Sequence, residues 1–293
     1  MKQSRFQRIA GSALIPLLLL FWPQVSAGGP RLLLTEKEIS RLKERIEVSG
    51  SHHQELFHAI RSRVDGDFQA EYAGVPGKNS YPLSFAAVEN ALMFRLTGKN
   101  RYADNAFHLL RQMYRAGGAT PTIPDTGSPE KKEPGSKALI HAFPGVAYGL
   151  CYDWCSPAWN PSRSSEILDT IRAALNDWEM LFRWELYDMP RSNWVSVCRG
   201  AELVLMLGGR EEKVRSGRYE KIKALLREHY RLAYGTSGYS HEGLGYIHYG
   251  VPFGYLAMYC ARSAGDRSLD SLFFRRSFWK LLMYCFASTS DEK

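Results

Sequence analysis

Val195-Ser196-Val197-Cys198-Arg199-Gly200-Ala201-Glu202-Leu203-Val204-Leu205-Met206-Leu207 is almost wholly apolar and stops at Gly208-Gly209. The run reads as a buried helix closed by a glycine turn. The same pattern recurs on both sides of it. Upstream, Asn160-Pro161 offers an N-cap with proline at the first helical position. Ile167, Ile171, Leu175 and Trp178 then line one side of that helix. Pro144 to Trp154 reads as a further buried helix. Ala86 to Leu96 is apolar and ends at Gly98, and Tyr102, Ala106, Leu109, Leu110 and Met113 carry a stripe that ends at Gly117-Gly118. Thr35-Glu36-Lys37-Glu38 forms a capping box ahead of Ile39, Leu42 and Ile46. Downstream, Tyr219 to Tyr234, Phe253 to Ala264 and Leu272 to Ala287 complete the series. No stretch alternates as a strand would. Long apolar helices joined by glycine turns imply an all-α chain of stacked antiparallel helical hairpins.

Two segments interrupt the helices. Between Gly117 and Ala138 lies a loop with Pro121, Pro124, Pro129 and Pro134, and loops of this length are functional or disordered. The second is Gly238-Tyr239-Ser240-His241-Glu242-Gly243-Leu244-Gly245-Tyr246-Ile247-His248-Tyr249-Gly250. It concentrates acid/base side chains beyond what folding needs. It reads as a glycine-opened loop between two helical stretches, where a scaffold aims residues into a cleft.

The chain opens with Lys2, Arg5 and Arg8, an apolar run from Ile9 to Trp22, and small residues at Val25-Ser26-Ala27. This is the layout of a secretory signal spanning residues 1–27 and cut after Ala27, which implies a secreted or periplasmic protein. The run is shorter than the ~20 residues of a membrane span, and no later segment is apolar enough to insert. The formal net charge is +8, of which Lys2, Arg5 and Arg8 supply three, leaving +5. A mildly basic exported protein suits an acidic partner such as a uronic-acid glycan. The basic residues are scattered, without the dense run that argues for nucleic acid. Cys151, Cys155, Cys198, Cys260 and Cys285 each sit among apolar residues and read mostly as buried thiols. No spacing resembles a zinc site, and no cofactor is indicated.

Several short motifs, in this order and spacing, resemble secreted polysaccharide lyases of the heparinase II/III and alginate lyase type. They are Pro30-Arg31-Leu32-Leu33-Leu34-Thr35, Leu96-Thr97-Gly98 with Tyr102-Ala103, Tyr152-Asp153-Trp154, Asn193-Trp194, and Glu242-Gly243 with Tyr246. The resemblance implies that residues 28–293 form an incomplete (α/α) toroid. Large β-sandwich domains normally follow that toroid in the family. Here no β-rich region follows, so a truncated reading frame or a helical-domain-only relative is expected.

A uronate lyase must neutralise a carboxylate, remove the C5 proton and protonate the leaving oxygen. By resemblance, Asn193 neutralises the carboxylate and Tyr246 transfers the proton, with Tyr249 a close rival. His248 tunes either tyrosine or contacts substrate. Glu242 binds a sugar hydroxyl or orients His241 or Arg199. Family members often carry Asn-His where this chain has Asn193-Trp194. Tryptophan transfers no proton but stacks on a sugar ring. Arg191 and Arg199 offer bidentate carboxylate contacts. Tyr152, Asp153 and Trp154 form a second aromatic cluster that either lines the sugar groove or packs into the core. Asn79, Tyr81 and Pro82 read as a loop near the cleft. Two rival readings stay open: a glycoside hydrolase pairing Glu242 with Asp153, and a glycan-binding or truncated relative without activity.

Overall fold

The computed structural model describes residues 31–66, 80–115, 134–181, 189–234 and 244–273. Residues 31–35 form a strap, bent at Leu33 (φ +59°) where the Leu34 N–H donates back to the Leu32 carbonyl, that leads into α1 (Glu36–Glu47). The expected cap is in place: the Thr35 backbone N–H donates to Glu38 Oε2 at 2.8 Å, and the Thr35 hydroxyl to the same oxygen at 2.7 Å. α2 (His52–Asp65) was not legible as a helix, because it is polar on most sides and buries only Ile60. Ser51 caps it by accepting from the Gln54 N–H.

The remaining helices form hairpins. α3 (Ser80–Thr97) and α4 (Asn100–Arg115) pack together across the turn Gly98-Lys99. Gly98 adopts φ +68°, a left-handed conformation that glycine takes without steric penalty. α5 (Pro134–Cys155) packs on α6 (Pro161–Leu181) through a short 3₁₀ turn at Ser156–Ala158. Asn160 caps α6 as expected, accepting the Arg163 N–H at 2.9 Å. A π-helical turn, Val195–Arg199, opens α7 (Gly200–Gly208), which packs on α8 (Ser216–Leu232). α9 (Leu244–Ser263) and the short α10 (Asp270–Phe273) follow. The described residues contain ten α-helices and no strand.

Alternate helices pack side by side: α3 on α5, α5 on α7, and α7 on α9. Glycine sets how closely α5 and α7 approach. A Cβ on Gly149 would lie 2.6 Å from the Val204 carbonyl oxygen, and one on Gly208 would strike the Gly149 backbone. These contacts join the C-terminal halves of α5 and α7, while Gly200 faces Phe253 of α9. Leu110, Leu150, Ile171, Val204, Leu205 and Leu226 are fully or almost fully buried among these helices. Each contributes about 1.5–3 kcal/mol of apolar burial.

Three boundaries differ from the sequence reading. The loop expected through Ala138 gives way to helix at Pro134, so Pro144 lies inside α5 instead of opening it. Tyr81 and Pro82 stand in the first turn of α3, where proline's missing N–H costs nothing. The glycine-opened segment 238–250 is helical from Leu244, so Gly245 and Gly250 are helix residues and Pro252 is internal. Residues 1–30, most of the 117–138 segment, and Cys285 lie outside the described residues. Cys151, Cys155, Cys198 and Cys260 are buried and unpaired, and burial raises each thiol's pKa. Among the described residues no helix is long and apolar enough to cross a membrane.

An acidic latch ties α8 to the turn after α9. Asp266 Oδ2 accepts from Lys223 Nζ at 2.6 Å and from the Tyr219 hydroxyl at 2.9 Å. Burial works against the Asp266 charge, but Lys223, Ser268 and Tyr219 outweigh it and hold its pKa at about 2, below the usual 3.8. A depressed folded pKa stabilises above the unfolded value and is lost as pH falls through the folded one. The latch therefore weakens between about pH 4 and pH 2. In acid melts Asp266→Asn is expected to lower Tm at pH 6, with the gap to wild type closing towards pH 2.

Candidate functional site

The N-terminal end of α7 is built on a tight turn. Ser192 donates its N–H to the Met189 carbonyl at 3.0 Å, and Val195 donates to the Ser192 carbonyl at 3.2 Å. The Ser192 hydroxyl accepts the Trp194 N–H at 3.3 Å. Asn193 stands between these bonds with its side chain 2% exposed, while Trp194 is half-buried. The π turn follows at once, and the Gly200 N–H is shared between the Ser196 and Val197 carbonyls. Single π turns inside helices occur frequently at functional sites because they re-aim neighbouring side chains.

Across from this turn runs α9. A Cβ on Gly250 would sit 3.1 Å from Asn193 Cβ and 3.7 Å from the Tyr234 hydroxyl. Glycine at 250 thus lets the two backbones close on Asn193. Ser196 Oγ donates to the Gly250 carbonyl at 2.7 Å, and Tyr230 donates its hydroxyl to the Val251 carbonyl at 3.1 Å. Those two hydroxyls lie 3.2 Å apart. A Cβ at Gly254 would press on both of them, standing 2.6 Å from Ser196 Oγ. Burial pushes the Tyr230 phenol well above its usual range, so Tyr230 is a hydrogen-bond donor and not a base.

Position 246 precedes Gly250 by four residues. Four residues make about one turn, so position 246 lies ~6 Å towards the N-terminus of α9 on the face that meets Asn193. Position 249 is about 100° round the helix from Gly250. The backbones of Tyr246, His248 and Tyr249 are in α9, and their side chains lie outside the described set. His241 and Glu242 also lie outside the described residues.

The structure brings Asn193 and the start of α9 together, but not the second cluster. Asp153 Oδ2 accepts the backbone N–H groups of Arg31 and Leu32, each at 2.8 Å, and burial raises the carboxyl pKa above its usual range. Trp154 donates its indole N–H to the Leu32 carbonyl at 2.9 Å. Tyr152 is half-buried beside them, and burial raises its pKa. Arg31 also donates to the Leu207 carbonyl at 2.7 Å, which fixes this cluster at the C-terminal end of α7. Fourteen residues separate Asn193 from Leu207 along the α7 segment, about 20 Å of helix. Asp153 therefore serves the strap, and Tyr152 faces the Trp159 ring, at the far end of the helices from Asn193. Arg199 is buried and gives Nη1 to Glu202 Oε2 at 2.8 Å, while Arg191 is exposed.

His229 and Tyr230 on α8, Tyr234 just beyond it, and Ser196 complete the surroundings of Asn193. His229 Nδ1 is 2.8 Å from the Pro190 carbonyl oxygen, in the turn that leads to Asn193. Its ring meets those of Tyr230 and Tyr234 edge-on, at 5.3 Å and 5.4 Å. Burial pulls the His229 pKa down to about 4, against the Pro190 contact that raises it. Among the described residues His229 Nε2 is buried with no hydrogen-bond partner. An acceptor left so costs about 1–3 kcal/mol. The available sequence signal was the spacing of Tyr230 and Tyr234, four apart and so on one helical face. Neither a protein-family model nor a curated protein matches the chain.

Proposed function

We propose that the chain is an exported polysaccharide lyase that cleaves a uronic-acid-containing glycan by β-elimination, on an incomplete (α/α) toroid. The toroid is supported by the order of packing. α3, α5, α7 and α9 neighbour one another in succession, and α4, α6 and α8 each return the chain between them. The lyase reading rests on one observation: Asn193 is seated against Gly250, one helical turn after position 246.

In this reading Asn193 donates amide hydrogens to the uronate carboxylate and lowers the charge that resists loss of the C5 proton. Tyr246 removes that proton. The C–H electron pair becomes the C4–C5 double bond, and the glycosidic oxygen leaves from C4. It takes a proton from Tyr246, or from Tyr249 or His248 on the same stretch of α9. Trp194 stacks on a sugar ring, and His241 and Glu242 bind hydroxyls. Asn193 is almost fully covered, so a carboxylate reaches it only when the covering side chains yield.

The hydrolase pairing of Glu242 with Asp153 lacks comparable support. Asp153 is buried under the Arg31–Leu32 backbone, and a general acid/base must reach the proton it transfers. The test is incubation with alginate, heparin, heparan sulfate, chondroitin sulfate and polyglucuronate while ultraviolet absorbance of an unsaturated uronate is followed. The lyase reading expects that absorbance to rise with one of them. New reducing ends without it would defeat the reading, and glycan binding with neither signal would leave a binding protein.

A further inference from the structure

The His229 imidazole is held on one side and bare on the other. A carbonyl oxygen only accepts, so the 2.8 Å contact with Pro190 puts the proton of the neutral ring on Nδ1. Nε2 is then an acceptor, buried and without a donor among the described residues. An apolar side chain would pack beside the Tyr230 and Tyr234 rings without that cost. The group that offsets it is the Nδ1–H. Its target, Pro190, lies three residues before Asn193, inside the turn closed by the Ser192 to Met189 hydrogen bond. The next residue of α8, Tyr230, bonds the Val251 carbonyl and contacts Ser196. Adjacent residues of α8 thus grip both walls of the site: the Asn193 turn through His229, and α9 through Tyr230.

We propose that His229 is a positioning residue that, as the neutral Nδ1–H tautomer, fixes the Pro190–Asn193 turn against α9. It acts through the Pro190 carbonyl and touches no substrate. The kinetic part of this inference rests on the lyase reading; the structural part does not.

Asparagine places an amide N–H near the position of Nδ1, whereas glutamine places one near Nε2. Three variants therefore separate the roles: His229→Asn, His229→Gln and His229→Leu. Hydrogen exchange at the Ser192 and Val195 amides is the first readout. His229→Asn should protect them as the wild type does, and His229→Gln and His229→Leu should exchange them ~10-fold faster, with α5 unchanged. Long-range ¹⁵N spectra of the imidazoles, assigned by the signal missing in His229→Asn, should show a neutral ring protonated at Nδ1 at pH 7. On the glycan that the wild type eliminates, His229→Gln should lose kcat by about 10–100-fold with KM within ~3-fold, and His229→Asn should restore it. An Nε2–H or charged ring, or the asparagine and glutamine variants exchanging alike, would overturn the proposal. If His229→Leu does not fold, the asparagine and glutamine pair still decides it. If no glycan is eliminated by wild type, the lyase reading fails, and the exchange and ¹⁵N results still decide the role of His229.

Discussion

Tyr246→Phe is expected to lower kcat on the glycan that the protein eliminates by about 10²–10⁴-fold, the range for loss of a positioned proton-transfer group. Tyr249→Phe is expected to cost less than ~10-fold. The two tyrosines are equivalent in sequence, three residues apart in a glycine-rich stretch. The helix separates them. Position 246 lies one turn before Gly250 on the face that meets Asn193, and position 249 is about 100° round the helix from Gly250. Phenylalanine keeps the ring and removes only the hydroxyl, so KM and Tm should change little. Steady-state kinetics on the purified variants checks this. The reverse ranking would place the proton transfer at Tyr249 and rotate the site away from Asn193.

Glu202→Gln is expected to destabilise the fold by about 3–5 kcal/mol, the cost of breaking a buried ion pair from one side. Glu202 is fully buried on α7. Its Oε2 accepts from Arg199 at 2.8 Å and its Oε1 from Arg218 Nε, and Arg218 also donates to the Leu175 carbonyl at 2.6 Å. One carboxylate therefore joins the π turn, α6, α7 and α8. Removing its charge leaves two guanidinium groups facing a neutral amide in the interior. For a chain of this size the loss corresponds to a Tm drop of roughly 6–20 °C by calorimetry. Replacing Arg199, Glu202 and Arg218 together by methionine should recover part of it, because replacing a whole buried ionic cluster is far milder than removing its carboxylate alone. An unchanged Tm for Glu202→Gln would mean that the cluster does not hold α7.

Much of the helical scaffold could be read from local rules. Thr35 with Glu38, and Asn160 with Pro161, announce helix starts by side-chain chemistry confined to one turn. Val195 to Leu207 announces burial by being apolar on all sides. What failed was long-range. Pro144 and Pro252 read as boundaries, yet α5 and α9 run through them, because packing against neighbours outweighs one missing hydrogen bond. Gly250 read as the end of a glycine-opened loop, but it lies inside α9 and its lack of a side chain serves the approach of Asn193 from another helix. Asp153 read as part of a groove or core cluster, or as a hydrolase carboxylate; its partners are backbone N–H groups over a hundred residues away, which no local pattern discloses. His229 is silent in the sequence for the same reason: its meaning lies in the Pro190 carbonyl, on a different element.

The products of β-elimination and hydrolysis differ by one molecule of water. Elimination adds no water to the products, whereas hydrolysis places one solvent oxygen on a new chain end. The most direct measurement is mass spectrometry of the products formed from an acidic polysaccharide in ¹⁸O-labelled water. The lyase reading predicts fragments whose new non-reducing end is unsaturated and whose masses carry no ¹⁸O beyond slow exchange at the reducing end. Stoichiometric ¹⁸O in every new fragment, with no unsaturated end, would contradict it.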